Sequence, residues 1–444
     1  MSICAFEYRY GSKEMRNIFK RTNMVKRLID VEVALIGALA DANLIPQVCE
    51  EEIRNCIYNV KLEEIDKLEK IVGHDIVALV TLLAEKCGEC GKYIHLGATS
   101  YDIIDTAWAL IIRDALELVK RKFKAIIWKL IELVKRYRDT IMVGRTHGQH
   151  ALPITLGFKL ANYVYELTRS YERILECEKR IIKAKIGGAV GTMAAWDKHG
   201  FIIENGICRR LDLEPHIIST QVAPRDGFAE LISVFAILAS QLDRLAIEIR
   251  ELSRPEIAEL AEGIERIGSS TMPHKKNPVL SERISSIAKI LRGFVITALE
   301  NIPLWHERDL SNSAAERILI PHAFLAIDQA LEDMLKVLKN LEAYPQNMRR
   351  NLDISKGAIM AEAIMVKLVE KGVPRHEAHQ YLVKLARKVY EENKKFKDIL
   401  IEDPFITKHL TISEIEECLK YENYLGQTQQ LIERVLTYAK KIIK

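Results

Sequence analysis

The sequence lacks an uninterrupted apolar run of the roughly 18 residues that a membrane-spanning helix requires. Its first ten residues include Glu7 and Arg9 and contain no apolar core of signal-peptide length. It also lacks a basic tail, because 65 basic and 61 acidic residues are interspersed and leave a net charge of +4. We therefore expect a cytoplasmic protein whose partners are neither membranes nor nucleic acid.

The cysteines show no zinc-site spacing. Cys87 and Cys90 form the one close pair among the eight cysteines, and no second pair lies at ligand spacing. A chain of 444 residues can bury a large core and does not need disulfide bonds for stability. We expect Cys87 and Cys90 to be reduced, with a bound metal as the alternative, and we predict no metal and no cofactor.

Strand-like alternation is nearly absent, and apolar residues recur every three or four positions along most of the chain. Residues 105–137 contain neither Pro nor Gly, and residues 154–185 and 284–299 contain one glycine each. At 1.5 Å per residue such helices reach about 45 Å, longer than a compact domain of this size is wide. The pattern predicts an all-α fold with a central bundle of long helices that subunits share. Turn-rich stretches divide it into domains at 1–101, 102–348 and 349–444.

Residues 268–278 read GSSTMPHKKNP and separate two apolar periodic segments. Glycine and proline are common in any connection, so that turn-forming filler is one interpretation of this stretch. Two lysines, an amide and several hydroxyls within eleven residues favour a loop that holds an anion.

Two further segments flank the first long helix. In residues 95–102, HLGATSYD, Thr99 and Ser100 precede that helix, where hydroxyls cap the first turn for about 1 kcal/mol or bind carboxylates. Residues 144–151, GRTHGQHA, place His147 in a glycine-flanked loop, and histidine has a pKa suited to proton donation. A merely structural histidine is the alternative. Pro153 is expected at the first position of the next helix.

Residues 305–317 combine Arg308, Ser313 and Arg317. If the segment from 313 onward is helical, Ser313 and Arg317 lie one turn apart on one face. Two guanidiniums and a hydroxyl suit a phosphate group, whereas an exposed ladder of ion pairs is the alternative.

In this order, with long helices between them, the four segments resemble the fumarase and aspartase superfamily of lyases, whose signature is GSSxMPxKxNP. Within it the chain is similar to the adenylosuccinate lyase family, because His274 follows Met-Pro, residues 303–309 read PLWHERD, and Arg9-Tyr10 matches an N-terminal nucleotide contact. The resemblance implies a three-domain fold, a homotetramer with active sites shared between subunits, and a small nucleotide substrate. It implies β-elimination of fumarate from adenylosuccinate and from succinylaminoimidazole carboxamide ribotide in purine biosynthesis.

The resemblance also implies a set of site residues. Ser269 would be the general base and His147 the general acid that Glu282 orients. Lys275 and Asn277 would stabilise the negative charge that grows on the substrate carboxylate, and Lys275 would also assist Ser269. The expected substrate-binding residues are Arg9, Tyr10, His74, Asp75, His95, Thr99, Ser100, Gln221, Asn277, Arg308, Ser313 and Arg317. An argininosuccinate lyase-type enzyme and a non-catalytic helical protein of the same fold remain alternatives.

Overall fold

The computed structural model describes residues 3–264, 272 and 274–444. Most of them are helical, which confirms the all-α prediction. Among the described residues, no helix combines the length and apolarity needed to cross a bilayer.

The described α-helices include five of 22 residues or more, and three of these correspond to the long stretches predicted from the sequence. In chain order the described α-helices are α1 (Ala5–Tyr8), α2 (Lys13–Ile18), α3 (Arg21–Asp41), α4 (Gln47–Cys56), α5 (Leu62–Val72), α6 (Asp75–Lys86), α7 (Ser100–Arg136), α8 (Leu156–Ile181), α9 (Gly200–Leu211), α10 (Asp226–Leu252), α11 (Val279–Glu300), α12 (Ser313–Asn340), α13 (Pro345–Asp353), α14 (Ala361–Glu370), α15 (Arg375–Glu391), α16 (Phe396–Glu402), α17 (Pro404–His409), α18 (Ile412–Cys418) and α19 (Thr428–Ile442). Short 3₁₀-helices span Gly88–Tyr93, Asp197–His199, Ala358–Met360 and Tyr421–Tyr424.

Strands are few and short. The described strands are β1 (Ile141–Thr146), β2 (Gln149–Thr155), β3 (Lys183–Ala184), β4 (Glu214–Pro215), β5 (Leu260–Ala261) and β6 (Glu342–Ala343). They form three two-stranded pairs, of which the antiparallel β1–β2 hairpin is the longest. The prediction that a helix starts at Pro153 is wrong, because Pro153 lies in β2 opposite Val143 and α8 begins at Leu156. Proline is tolerated there because each strand of a two-stranded hairpin is an edge strand.

The chain divides into two compact units. The first comprises Met1–Phe123, Ser170–Ser240 and Ser286–Glu332, and the second comprises Lys124–Arg169, Gln241–Ser285 and Asp333–Lys444. The three domains expected from the sequence remain a prediction.

The core of the first unit is built on α3, which packs against α4 and α9. Leu35, Leu39, Ile53, Ile203 and Ile207 are each at most 1% exposed in this core. At roughly 1.5–3 kcal/mol for each fully buried large aliphatic side chain, this packing is the main source of stability of the unit.

Four cysteines of the first unit form disulfide bonds, Cys49–Cys90 and Cys56–Cys87. The expectation of reduced thiols at Cys87 and Cys90 is therefore wrong. Cys49 and Cys56 lie two turns apart on one face of α4, and α4 contacts the 3₁₀-helix Gly88–Tyr93. The close spacing of Cys87 and Cys90 carries no information about partners on another helix. The two bonds fasten α4 to the segment that precedes His95.

The core of the second unit lies among its C-terminal helices. Ile364, Leu368, Phe396, Leu400 and Ile406 are fully buried there. α14 packs against α15 and α18, while α13 contacts β1. The contact between α13 and β1 seats the β1–β2 hairpin against the C-terminal part of the chain.

Local signals fix the helix ends of the first unit. α5 ends at Gly73, whose φ of 71° is the left-handed conformation that favours glycine, and His74 then caps α6. Before α7, the Thr99 N–H donates to Asp102 Oδ2 at 2.7 Å, one half of a capping box. Asp102 thus caps the start of α7, whereas capping by the hydroxyls of Thr99 and Ser100 stays a prediction.

Candidate active site

The start of α7 is held by a buried aspartate of the first unit. Asp102 is 1% exposed and accepts hydrogen bonds from the Thr99, Gly187 and Gly188 N–H groups. The ammonium of Lys185, also fully buried, lies 2.7 Å from Asp102 Oδ1. These contacts fix the loop of Thr99 and Ser100 against the glycine-rich segment 187–191.

Three of the predicted binding residues meet around Tyr101, the second residue of α7. The Arg308 guanidinium lies 3.8 Å from the centre of the Tyr101 ring, a cation–π contact. The Tyr101 hydroxyl donates to Ser313 Oγ at 3.3 Å, and Arg308 donates to Gln221 Oε1 at 3.0 Å. Gln221 in turn donates to the Ala189 carbonyl at 3.0 Å. We call Gln221, Arg308, Ser313 and Tyr101 the Tyr101 cluster.

A buried ionic triad lies beside the Tyr101 cluster. Arg225 is 3% exposed and donates two hydrogen bonds to Asp105, each of 3.0 Å. The Arg225 Nε lies 3.0 Å from Oε1 of Glu316, and Glu316 lies in the first turn of α12. Burial is the main cause that raises the pKa of Glu316 to about 7, although the Arg225 guanidinium opposes the rise. The triad therefore contains a carboxyl group that titrates near neutrality.

Asp75 and Arg317 form a second contact between predicted binding residues. Arg317 NH2 donates to Asp75 Oδ2 at 2.6 Å, and Arg317 lies one turn after Ser313 on α12. His74, which is exposed, accepts from the Val77 N–H at 3.4 Å. A cavity of about 750 Å³ opens beside Asp75 and Arg317, and its wall includes the apolar side chain of Trp108. This volume is typical of small-molecule sites.

His95 and the N-terminal pair occupy other positions in the first unit. His95 Nδ1 lies 2.6 Å from Glu32 Oε1, and Glu32 is fully buried in α3. Tyr10 packs edge-on against Phe6 with ring centres 6.1 Å apart, and the Arg9 guanidinium lies 5.8 Å from the centre of the Tyr10 ring.

The predicted general acid lies in the second unit, at the turn of the β1–β2 hairpin. His147 is exposed and has a left-handed φ of 54°. The end of the hairpin beside this turn is fixed by Arg145, which makes two hydrogen bonds of 2.8 and 2.9 Å to the fully buried Glu259. Burial, together with the nearby Arg145 guanidinium, lowers the pKa of His150.

The predicted signature residues also belong to the second unit. Lys275 and Glu282 are exposed, Asn277 is half-buried, and Glu282 lies in the first turn of α11. Glu262 is buried and caps α11, because it accepts hydrogen bonds from the N–H and hydroxyl of Ser281 at 2.7 and 2.8 Å. Ser269, the predicted general base, lies outside the described residues.

One group of potential metal ligands exists in the part of the chain that the structure describes, namely Cys49, Glu52 and Cys90. Both of its sulfur atoms belong to the Cys49–Cys90 disulfide bond. A metal would require thiolates, so this group does not offer a thiolate site in the oxidised protein.

Comparisons with known proteins match the chain along almost its whole length. A family model described as "Lyase" matches residues 7–293, and one described as "Adenylosuccinate lyase C-terminus" matches residues 357–435. The chain belongs to the adenylosuccinate lyase family. Curated adenylosuccinate lyases of Pyrococcus horikoshii and Methanothermobacter thermautotrophicus are 44% and 41% identical to it, and each alignment covers at least 99% of both chains. The family and the lyase class inferred from the sequence are thereby confirmed.

Solved structures of the wider superfamily share the fold. A fumarate lyase from Mesorhizobium sp. BNC1 superimposes with a TM-score of 0.90 at 31% identity, covering 98% of this chain and 99% of that one. A 3-carboxy-cis,cis-muconate lactonizing enzyme from Pseudomonas putida gives 0.91 at 28% identity and full coverage of both chains. The helical scaffold is thus shared by enzymes named for different reactions, so that substrate choice must depend on particular side chains.

Several residues around these sites are not predictable from the sequence. Tyr101 lies within the motif of residues 95–102 without a role of its own, and neither Glu32 nor Arg225 belongs to any of the four motif segments. The glycines of residues 187–191 are a signal in the sequence that two backbone segments pack closely here. In the structure, a Cβ atom at Gly191 would lie only 2.0 Å from the Ser219 carbonyl oxygen. No local signal marks Glu32 or Arg225, since their partners lie far away in the sequence.

Proposed function

We propose that the protein cleaves adenylosuccinate to AMP and fumarate, and cleaves succinylaminoimidazole carboxamide ribotide in the same way, as a cytoplasmic enzyme of purine biosynthesis. In this β-elimination a base removes a proton from the carbon beside a carboxylate, and the electron pair left on that carbon forms the fumarate double bond. The C–N bond breaks, and an acid protonates the departing nitrogen. Membership of the adenylosuccinate lyase family supports this reaction.

The observation that carries the choice of a nucleotide is the Tyr101 cluster. Arg308 and Ser313 meet at the Tyr101 ring, and Arg317 follows one turn later on α12. Two guanidiniums, a hydroxyl and a helix N-terminus suit a phosphate group in charge and geometry. The neighbouring cavity of about 750 Å³, with the Trp108 ring in its wall, would accept the remainder of a nucleotide.

The proton-transfer roles follow the family resemblance. We assign the base to Ser269 and the acid to His147, with Glu282 orienting the acid. Negative charge grows on the substrate carboxylate as its neighbouring carbon loses the proton, and Lys275 and Asn277 would stabilise that charge. Electrostatic stabilisation of this kind commonly contributes more to the rate of an enzyme than any other single effect.

We further propose that the protein works as a homotetramer with active sites shared between subunits. Apolar side chains are exposed along α11, α12 and the segment between them, including Ile296 at 69%, Trp305 at 78% and Ile318 at 62%. Exposed apolar surface of this kind usually marks an interface. Sedimentation combined with an activity assay tests the assembly, and a fully active monomer would contradict it.

The decisive experiment follows fumarate absorbance with three substrates: adenylosuccinate, succinylaminoimidazole carboxamide ribotide and argininosuccinate. We expect release from both nucleotides and none from argininosuccinate. Turnover of argininosuccinate alone would replace the proposal with the argininosuccinate lyase reaction. No turnover of any of the three would favour a non-catalytic member of the fold.

The phosphate assignment is tested with Arg317→Ala. Loss of a charge-assisted contact worth roughly 1.5–3 kcal/mol should weaken AMP binding at least tenfold and adenosine binding much less. Arg121→Ala is the matched control, because Arg121 is an exposed arginine of the same unit in an ion pair with Glu14. Equal losses for AMP and adenosine would refute a phosphate contact.

A further inference from the structure

Glu32 is an isolated carboxyl group in the apolar core of the first unit. Its side chain is 0% exposed, and the surrounding positions of α3, including Val31, Leu35 and Ile36, are buried apolar residues. A carboxylate in such a place is costly unless it is paired. A glutamate at this position therefore calls for a role that an apolar side chain would not fulfil.

The partner of Glu32 is His95. Glu32 Oε1 lies 2.6 Å from His95 Nδ1, whereas Glu32 Oε2 has no hydrogen-bond partner among the described residues. The His95 side chain keeps 18% of its surface exposed. Within the described part of the chain, its Nε2 makes no hydrogen bond, so that this nitrogen remains available to a ligand.

The backbone holds His95 in an unusual conformation. His95 has a φ of 64°, in the left-handed region that costs a residue with a side chain about 1 kcal/mol or more. The next residues are fixed, because Trp196 Nε1 donates to the Leu96 carbonyl at 2.9 Å and the Ala98 N–H donates to the His95 carbonyl at 3.2 Å. The same loop continues directly into Thr99 at the start of α7.

We propose that Glu32 is a positioning residue, which binds His95 through Nδ1 and thereby presents His95 Nε2–H as a donor to an anionic oxygen of the substrate. The inference rests on the proposed function, which supplies carboxylate and phosphate oxygens as candidates. A carboxylate bonded to one nitrogen of histidine fixes the ring orientation and favours the doubly protonated, cationic ring.

The charges around His95 agree with a cationic ring. Burial lowers the pKa of His95, but the Glu32 hydrogen bond and the charges of Glu32 and Asp102 outweigh burial, and the net direction is upward. Asp102 is itself paired with Lys185. Within the ranges that the structure describes, Glu32, unlike Asp102, has no cation other than His95 beside it. Removal of the Glu32 charge should therefore lower the pKa of His95 more than removal of the Asp102 charge would.

The proposal can be tested in the unmodified protein by acylation of histidines with diethylpyrocarbonate, with each site quantified by mass spectrometry over a range of pH. Neutral imidazole is the reactive form, so His95 should reach half-modification at a higher pH than His150, whose pKa is lowered by burial. The reverse order would overturn the proposal without any variant being made.

Glu32→Gln tests the link to Glu32, because it keeps the shape of the side chain and removes its charge. The midpoint of His95 modification should fall by about one pH unit. Glu204→Gln is the matched control, since Glu204 is a buried glutamate on α9, which packs against α3. An unchanged His95 midpoint in Glu32→Gln, or an equal fall in the control, would overturn the proposal.

Ligand binding and turnover then identify the anionic oxygen. If His95 contacts a carboxylate, Glu32→Gln should weaken fumarate binding at least threefold; if it contacts a phosphate, Glu32→Gln should weaken AMP binding by the same factor. The proposal is overturned if the variant binds both ligands as tightly as the parent does.

A double variant separates positioning from a merely structural role. In a His95→Gln background, Glu32→Gln should change kcat/KM by less than about twofold, whereas a merely structural role would give the same loss of kcat/KM in both backgrounds. An inactive parent protein with the expected modification order would refute the enzymatic proposal and leave the Glu32–His95 pair intact.

Discussion

Replacement of Glu316 by glutamine should stabilise the protein above neutral pH and have almost no effect in acid. Glu316 is 3% exposed, and its carboxyl group shares the Arg225 guanidinium with Asp105. Asp105 and Arg225 already form a neutral pair with two hydrogen bonds. Burial is the main cause that raises the pKa of Glu316 to about 7, with a smaller contribution from the Asp105 charge and against the opposing Arg225 guanidinium.

The sign and size of the effect follow from this pKa. The ordinary value for a glutamate is 4.5, so the folded protein holds the Glu316 proton more tightly than the unfolded chain does. The stability that this proton provides is complete below about pH 4.5 and is lost as the pH rises through 7. The pKa difference corresponds to about 3 kcal/mol at roughly 1.4 kcal/mol per pKa unit. With an unfolding entropy of about 2 cal/mol/K per residue, this energy shifts Tm by about 3 °C if the whole chain unfolds cooperatively.

The measurement is calorimetric unfolding of the parent protein and Glu316→Gln at about pH 4.5 and about pH 8. We expect a higher Tm for the variant at the alkaline pH and similar Tm values in acid. Glu51→Gln, at an exposed position on α4, should follow the parent at both pH values. A variant that is less stable than the parent at pH 8 would refute the reasoning, because it would show that the ion pair with Arg225 outweighs the cost of burial.

Three other substitutions address the hairpin, the disulfide bonds and the signature loop. Arg145→Ala should cost roughly 3–5 kcal/mol in chemical denaturation, because it leaves Glu259 buried without its guanidinium, and a loss below about 1 kcal/mol would contradict this. Cys49→Ser with Cys90→Ser removes one disulfide bond, and because the intact Cys56–Cys87 bond lies inside it, the loop released is only roughly a dozen residues long, with a chain-entropy cost of about 3 kcal/mol and a lower Tm. A variant that also carries Cys56→Ser and Cys87→Ser should have the Tm of the parent measured in reductant, and a Tm unchanged from the oxidised parent would contradict this. Ser269→Ala should lower kcat by roughly 10² to 10⁴ with substrate binding nearly intact, and near-normal turnover would exclude Ser269 as the base.

The helices and their starting points could be predicted from the sequence because they depend on local patterns. The three-and-four spacing predicts the long helices, and Thr99 and Ser100 in residues 95–102 predict the start of α7. Pro153 shows the limit of such signals. A proline at the first turn of a helix and a proline in an edge strand look the same locally, and pairing with Val143 decides between them.

The candidate site was predictable where chemistry is concentrated in short motifs. Arg308 and Ser313 are predicted from residues 305–317, whereas Gln221 is implied only by the family resemblance. In the structure Arg308 and Ser313 contact Tyr101, and Gln221 accepts a hydrogen bond from Arg308. The ring itself was not predicted. Nothing in the sequence around Tyr101 indicates a cation–π contact, because its partner Arg308 is distant in sequence and meets the ring only in the folded chain.

Buried charges explain the remaining gap between the sequence and the site. Periodicity treats a charged residue as a position on the solvent face, and by that rule Glu32, Asp105, Lys185 and Arg225 would all face water. The structure buries each of them to 3% exposure or less. Removing such groups from water is costly and must be offset by partners from other segments, so their positions are determined by tertiary contacts alone. In the first unit these partners are the segments that carry Thr99, His95 and the Tyr101 cluster, so the charges that periodicity misplaces are the ones that support the candidate site.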